Sequence, residues 1–132
     1  MLHKSPYIFI AEDDPLLQRL YKQAFKLRGY SVEMAVNGED AMKRLDLLKH
    51  KPDLFLLDIM MPKIDGLGVL FGIKEDARYN KIPIIVLTSL SGRHSEGERA
   101  IALGADLYLL KGDGGLDELF AHIEKLTGAH AA

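Results

Sequence analysis

The length, composition and charge of the chain exclude several classes of protein. The chain has 132 residues, of which 48% are hydrophobic and 27% charged, a mixture typical of one globular domain. It contains no cysteine, so neither a disulfide nor a thiolate metal site can form. The net charge is −2 without a basic block, which argues against direct nucleic-acid binding. Because no signal peptide or membrane-length apolar run is visible, we expect a cytoplasmic protein that does not contact the membrane.

Short apolar runs rich in β-formers alternate with segments of helical spacing. In chain order, the predicted elements are strand 7–11, helix 15–28, strand 31–36, helix 38–49, strand 54–58, helix 66–76, strand 82–88, helix 95–103, strand 107–110 and helix 116–126. In the first helix, an apolar stripe is predicted at Leu17, Leu20, Ala24 and Leu27. Asp14 is the predicted N-cap of this helix, with Pro15 at its first position and Gly29 just beyond its end.

The alternation of strands and helices predicts an α/β fold. Five β-α units in succession indicate a doubly wound parallel sheet with helices on both faces and right-handed crossovers. The strands are almost continuously apolar, as expected where both sheet faces are covered. We expect a single domain over residues 1–132, with its core at about 7–127 and a tail at 128–132.

Polar residues follow four of the predicted strands. In chain order they are Glu12, Asp13 and Asp14 after the first strand, Asp58 at the end of the third, Thr88 and Ser89 at the end of the fourth, and Lys111 after the fifth. Ligands of open parallel sheets bind outside the carboxyl ends of the strands. If the first, third and fourth strands are neighbours, these side chains meet at one edge of the sheet.

Carboxylates gathered in this way repel one another, and a bound cation relieves the repulsion. Two like charges about 4 Å apart cost roughly 4 kcal/mol at an effective dielectric constant near 20. Oxygen ligands without His or Cys suit a hard cation, above all Mg²⁺. Lys111 and Thr88 would contact an anion beside this cation, and Asp58 would act as the nucleophile toward phosphorus. A carboxylate at a rigid strand end suits an in-line attack.

Four segments carry a family resemblance. They are IAEDDP, LFLLDIMMPKIDG, PIIVLTS and GADLYLLK, and they occur in this order. With them, the chain resembles the receiver domain of two-component response regulators, including the single-domain chemotaxis type, over about residues 7–126. The resemblance implies a flavodoxin-like fold, (βα)5, with the strand order 2-1-3-4-5.

The resemblance also implies the residues of a metal and phosphorylation site. Asp58 is the implied phosphoacceptor. Glu12 and Asp13 are the implied acidic pair that binds Mg²⁺, for which Mn²⁺ can substitute. Asp13 and Asp58 would be direct ligands, Glu12 would act mainly through water, and the backbone carbonyl of Met60 would be a further ligand.

Three more residues are implied to respond to the phosphoryl group. Thr88 would hydrogen bond to it, and Lys111 would pair with its charge. Tyr108, three residues before this lysine, matches the aromatic switch of the family. Its ring would turn inward when Thr88 moves toward the phosphate.

The implied role is that of a stand-alone signalling protein and not of an enzyme that turns over an external substrate. A sensor histidine kinase or a histidine phosphotransfer protein would donate the phosphoryl group, docking near Leu16, Leu17 and Leu20. The face formed by helix 95–103, the fifth strand and helix 116–126 would bind an unknown protein target or form a homodimer.

Three positions depart from the family pattern or affect the rate of dephosphorylation. The family usually has proline after the lysine, whereas this chain has Gly112. We therefore expect a trans peptide bond there, or a rarer strained cis bond, and a mobile glycine-rich loop. Met60 and Leu90 stand where the family tunes hydrolysis of the phosphoryl group. Because neither side chain can orient a water molecule, we expect slow self-dephosphorylation.

Three other functions compete with this interpretation. A receiver-like docking module that works without phosphorylation is the main alternative. A hydrolase of small phosphate esters would need a second carboxylate just beyond Asp58, and Ile59 and Met60 offer none. A flavin or nucleotide binder would need a glycine-rich phosphate loop after the first strand, where the chain has acids instead.

Overall fold

Strands and helices alternate along the whole of the described chain. The computed structural model describes residues 5–89, 94–111 and 114–128. The strands are β1 (Tyr7–Ala11), β2 (Ser31–Ala35), β3 (Leu54–Asp58), β4 (Ile84–Thr88) and β5 (Leu107–Leu110). The helices are α1 (Pro15–Leu27), α2 (Gly38–Leu45), α3 (Gly66–Lys74), α4 (His94–Ala102) and α5 (Gly115–Thr127). No helix among these residues is long and apolar enough to span a bilayer.

The five strands form one parallel sheet in the order β2-β1-β3-β4-β5. This confirms the predicted fold class and strand order. Asp58 at the end of β3 pairs with Leu87, and Thr88 at the end of β4 pairs with Leu110. The carboxyl ends of the central strands therefore lie side by side, as the predicted convergence of the polar residues requires.

Side chains of each strand alternate between two apolar layers. One layer lies between the sheet and helices α2, α3 and α4, and the other lies between the sheet and helices α1 and α5. Along β1, Phe9 and Ala11 belong to the first layer, whereas Ile8 and Ile10 belong to the second. Every residue of β3 and β4 is buried, as expected of central strands covered on both faces. The two layers hold these strand ends rigidly.

The buried face of α1 differs from the prediction. The predicted stripe was wrong for Leu20 and Leu27, which are 45% and 82% exposed. Tyr21 and Phe25 are the buried residues of this helix. The centroid of the Phe25 ring lies 4.8 Å from the centroid of the Phe120 ring in α5. Aromatic side chains bury more surface area than leucine side chains. Contact with α5 therefore decides which face of α1 turns inward.

Helix α2 is shorter than the predicted 38–49. The Tyr79 hydroxyl donates a hydrogen bond of 2.6 Å to the Leu45 carbonyl, which would otherwise accept the N–H of residue 49 in a continued helix. Arg78, from the same segment between α3 and β4, forms an ion pair of 2.7 Å with Asp46 just beyond the helix. A distant loop therefore ends α2.

Two strand ends also differ from the prediction. Strand β4 begins at Ile84, two residues later than predicted, because Pro83 has no N–H for the ladder. The Ile84 N–H donates to Asp106 Oδ2 at 2.8 Å. Strand β2 ends at Ala35, one residue earlier than predicted, and the Val36 N–H donates to Asp40 Oδ2 at 2.9 Å.

Replacement of Tyr79 by phenylalanine should destabilise the protein. Tyr79→Phe removes the hydroxyl that satisfies the Leu45 carbonyl and leaves this buried acceptor unpaired. We expect a loss of about 1–2 kcal/mol in the free energy of unfolding, measured by urea denaturation.

Tyr30→Phe is the matched control. The Tyr30 hydroxyl is also buried, but it has no hydrogen-bond partner within the described residues. Because a buried hydroxyl without a partner is costly, its removal should not lower the free energy of unfolding. Equal losses in the two variants would contradict a specific role of the Tyr79 hydroxyl.

Candidate functional site

Three buried polar side chains lie at the carboxyl edge of the sheet. Glu12 is 1% exposed, and Asp58 and Thr88 are each 2% exposed. Within residues 5–89, 94–111 and 114–128, these are the only polar or charged residues buried to this extent. Burial of two carboxylates is unfavourable unless other groups compensate their charge. The burial of these polar groups therefore indicates a functional site at this edge of the sheet.

The carboxylates of Glu12, Asp13 and Asp58 form a cluster. One oxygen from each lies within 4.8 Å of the other two. All the donors are oxygens, the type that Mg²⁺ and other hard divalent cations prefer. Asp13 is half-exposed, so the cluster opens toward solvent. The sequence prediction that these three side chains converge is correct, and their chemistry fits a hard divalent cation.

Lys111 compensates the buried negative charge. Its Nζ lies 2.8 Å from Asp58 Oδ2 and 3.1 Å from Glu12 Oε1, although only the first contact has hydrogen-bond geometry. Its backbone N–H donates to the Thr88 carbonyl at 2.7 Å, which continues the pairing of β4 with β5. Lys111 therefore lies within the site.

The environment shifts the pKa values of two of these groups upward. Burial raises the pKa of Glu12 to about 7, and the nearby Asp58 charge adds to this increase. The Asp14 N–H and the Lys111 ammonium act in the opposite direction. Burial disfavours the charged form of Lys111, but its contacts with Asp58 and Glu12 outweigh this effect, so the pKa of Lys111 is raised.

The turn after β3 holds Asp58 in place. The Met60 N–H donates to Asp58 Oδ1 at 3.2 Å, and the Gly66 N–H donates to the Ile59 carbonyl at 2.9 Å. A Cβ added at Gly66 would lie 2.2 Å from the Asp58 backbone oxygen, so only glycine fits this close approach. Lys63 adopts a left-handed conformation with φ of 70° in the same turn. The turn therefore fixes the backbone behind the carboxylate.

Thr88 contributes a buried hydroxyl to the edge. Its Oγ1 has no hydrogen-bond partner within the described part of the chain. A buried hydroxyl without a partner is costly, and an oxyanion bound at this edge would satisfy it. This observation fits the anion expected beside the cation.

Tyr108 packs against α4. A Cβ added at Gly97 of α4 would lie 2.2 Å from Tyr108 Cδ2, so the tyrosine ring occupies the space that any larger residue at Gly97 would need. Tyr108 pairs with Val86 in the sheet, two residues before Thr88. The ring thus packs against α4 from the strand next to the one that carries Thr88, and its role as a switch stays a prediction.

A comparison of the sequence with models of protein families identifies the family to which this fold and site belong. The model of the response regulator receiver domain matches residues 8–124. The chain belongs to the response regulator receiver domain family. Receiver domains are signalling domains of two-component systems, and the acidic edge fits the Mg²⁺ site and phosphorylated aspartate of this family.

Similar proteins include both sequence relatives and solved structures. The response regulator MprA of Mycobacterium sp. (strain KMS) is 38% identical over 122 residues, which cover 90% of this chain and 49% of that protein. The response regulator TrrA of Thermotoga maritima, solved in complex with Mg²⁺-BeF, is 32% identical. It matches 92% of this chain and 98% of TrrA with a TM-score of 0.77.

A receiver domain attached to a kinase is also similar. The signal receiver domain of a signal transduction histidine kinase from Syntrophus aciditrophicus is 30% identical, with a TM-score of 0.83. The match covers 94% of this chain and 91% of that domain. By contrast, this chain spans only 15% of the gliding motility regulatory protein of Myxococcus xanthus, to which it is 33% identical over 91% of its own length. The chain thus spans less than half the length of its curated relatives.

Some predicted positions lie outside the described residues, and one useful residue was missed. Leu90 and Gly112 fall in the gaps, so the expectations about them stay predictions.

The sequence analysis overlooked Gln18, whose side chain contacts the acidic loop of the receiver domain. Its position one helical turn after the predicted N-cap Asp14 was a signal that could have identified it.

Removal of the Lys111 ammonium should destabilise the protein in the absence of divalent cations. Lys111→Met leaves the buried carboxylates of Glu12 and Asp58 without their cationic partner. We expect a loss of about 2–3 kcal/mol in EDTA, below the roughly 3–5 kcal/mol for a fully buried pair because Lys111 stays partly exposed. Urea denaturation at pH 8 measures it.

Lys22→Met provides the matched control on the exposed surface of α1. This substitution should leave the free energy of unfolding within about 0.5 kcal/mol of the wild-type value. If both lysine variants behaved alike in EDTA, Lys111 would not be compensating the buried acids.

Proposed function

We propose that this receiver domain accepts a phosphoryl group on Asp58 from a phosphohistidine donor and responds by changing a protein-binding face. The observation that carries the proposal is the convergence of Asp58 with Glu12, Asp13 and Lys111 at one buried edge. This set combines a nucleophile, oxygen ligands and a cation. The donor would be a sensor histidine kinase or a histidine phosphotransfer protein.

The site residues would hold Mg²⁺ in the manner implied by the family. Asp13, Asp58 and the Met60 carbonyl would be direct ligands, and Glu12 would act through water; Mn²⁺ could take the same place. When bound, the cation supplies charge neutralisation for the acids and for the incoming phosphoryl oxygens. TrrA, a relative in complex with Mg²⁺-BeF, supports this choice of ion.

The reaction would be an in-line displacement at phosphorus. One carboxylate oxygen of Asp58 forms the new O–P bond, while the N–P bond of the phosphohistidine breaks and its electron pair leaves on the imidazole nitrogen. The Met60 N–H, 3.2 Å from Asp58 Oδ1, orients the carboxylate for this attack. Because the side chain is already fixed, little reorganisation precedes the step.

Thr88 and Lys111 would then contact the transferred group. The buried Thr88 hydroxyl, which lacks a partner in the described residues, donates to a phosphoryl oxygen. Lys111 transfers its ammonium contact from the acids to the phosphoryl charge. Movement of Thr88 toward the phosphoryl group opens space for Tyr108, which packs on Gly97 of α4. The α4, β5 and α5 face would thereby change shape and bind a protein target or a second copy.

The exposed leucines of α1 support donor docking on this side. Leu16 and Leu20 are exposed, whereas Leu17 is partly buried against the core. They lie on the helix that follows the acidic loop, close in sequence to Glu12 and Asp13. An apolar patch beside a phosphorylation site suits transient contact with a donor protein.

Intact-mass spectrometry with acetyl phosphate tests the proposal. In the presence of Mg²⁺, the wild-type chain should gain the mass of one phosphoryl group. Chelation with EDTA should abolish the gain, because the acidic cluster then repels the incoming anion.

Asp58→Asn is the control variant. It should stay folded and show no phosphoryl gain under the same conditions. Absence of the gain in folded wild-type protein, also with a phosphohistidine donor, would favour the docking module that works without phosphorylation.

Met60 should slow the loss of the phosphoryl group. Its side chain is 61% exposed, stands two residues after Asp58 and cannot orient a water molecule for attack. Met60→Asn adds an amide that can, so we expect about a tenfold shorter half-life, equivalent to roughly one hydrogen bond or 1.4 kcal/mol. Phosphate release from purified phosphoprotein measures the rate, and a wild-type half-life of seconds would contradict the predicted slow hydrolysis.

A further inference from the structure

The loop between β1 and α1 is held at its two ends by hydrogen bonds. The Glu12 N–H donates to the Ala35 carbonyl of β2 at 3.0 Å. The Asp14 N–H donates to Glu12 Oε2 at 3.1 Å, and Asp14 Oδ1 accepts the Leu16 N–H at 2.9 Å. Asp13 therefore lies between two residues whose backbones are fixed.

Asp13 itself has no such restraint on its side chain. Across residues 5–89, 94–111 and 114–128, its carboxylate accepts no hydrogen bond and forms no ion pair. Glu12 and Asp58, by contrast, are both in contact with Lys111. The direction of the Asp13 carboxylate thus depends on the backbone that carries it, above all on the peptide that joins Glu12 to Asp13.

Gln18 holds this peptide from α1. Its side-chain Nε2 donates a hydrogen bond of 2.7 Å to the Glu12 carbonyl oxygen, which belongs to the Glu12–Asp13 peptide. Its backbone N–H donates to the Asp14 carbonyl at 2.9 Å. One residue of α1 therefore contacts two carbonyls of the three-residue acidic run, one by its backbone and one by its side chain.

We propose that Gln18 is a positioning residue for the metal ligand Asp13. By fixing the carbonyl of the Glu12–Asp13 peptide, its amide sets the plane of that peptide and hence the place of Asp13. The amide N–H also offsets the partial negative charge of the carbonyl next to the acidic cluster. Partners that hydrogen bond to a metal ligand itself typically affect metal affinity 10–100-fold, and for this contact with the adjoining peptide we expect the lower end of that range. The inference rests on the proposed function, since it assumes the Mg²⁺ site.

Gln18→Met isolates the side-chain contact. Methionine has a similar length and helix propensity, it keeps the backbone N–H, and it has no donor for the Glu12 carbonyl. We expect Mg²⁺ to bind about tenfold more weakly, measured by isothermal titration with MgCl₂. The free energy of unfolding in EDTA should change by less than the free energy of Mg²⁺ binding does. The amide NMR signal of Asp13 should also shift.

Gln23→Met is the matched control, because Gln23 is exposed on the same helix. It should bind Mg²⁺ like the wild type. Gln18→Ala is a second variant, with the strongest helix former in place of the amide, and it should lose the same affinity as Gln18→Met.

The outcomes separate this inference from the proposed function. Wild-type affinity in folded Gln18→Met and Gln18→Ala would overturn the role of Gln18 while leaving the Mg²⁺ site in place. The positioning role would also be overturned if both variants lost stability in EDTA but bound Mg²⁺ normally. If the wild-type chain itself failed to bind Mg²⁺, the metal site of the proposed function would be overturned, and this inference with it.

Discussion

Lys111 holds the buried carboxylates of Asp58 and Glu12 at 2.8 and 3.1 Å from its ammonium group. Without a cation, these acids would repel each other in a poorly solvated edge and would destabilise the neighbouring ends of the central strands. The same charge arrangement prepares the site for chemistry. In the proposed reaction, this ammonium group releases the acids to a metal ion and then contacts the phosphoryl group, so that one residue connects folding with function.

In the proposed function, the parts of the site that stay fixed are distinct from those that move. Gly66 lets the turn after β3 pack against the Asp58 backbone, and the Met60 N–H holds the carboxylate from the same turn. Thr88 and Tyr108 lie on the other side of Asp58, where a hydroxyl lacks a described partner and a ring rests on a glycine of α4. This arrangement suits the proposed function, in which Asp58 is held in place while Thr88 and Tyr108 respond to the phosphoryl group.

The strands and the candidate site residues could be predicted from the sequence, because both signals are local. A strand covered on two faces is apolar along its own length, and a polar residue at its end is visible without knowledge of its neighbours. The parallel β-α order places Asp13, Asp58 and Thr88 at the carboxyl edge of the sheet, and they meet there because the first, third and fourth strands are neighbours. The family resemblance added the strand order and the implied roles of Tyr108 and Met60, which local patterns do not contain.

Only the tertiary structure decided the details that depend on residues distant in the chain. Helix α2 ends at Leu45 because the Tyr79 hydroxyl reaches its carbonyl, and the inward face of α1 follows from the contact of Phe25 with α5. The contact of Gln18 with the acidic loop and the double contact of Lys111 are of the same kind. Sequence patterns report the burial of a segment, whereas partners for its carbonyls, rings and charges come from other segments that folding brings into contact.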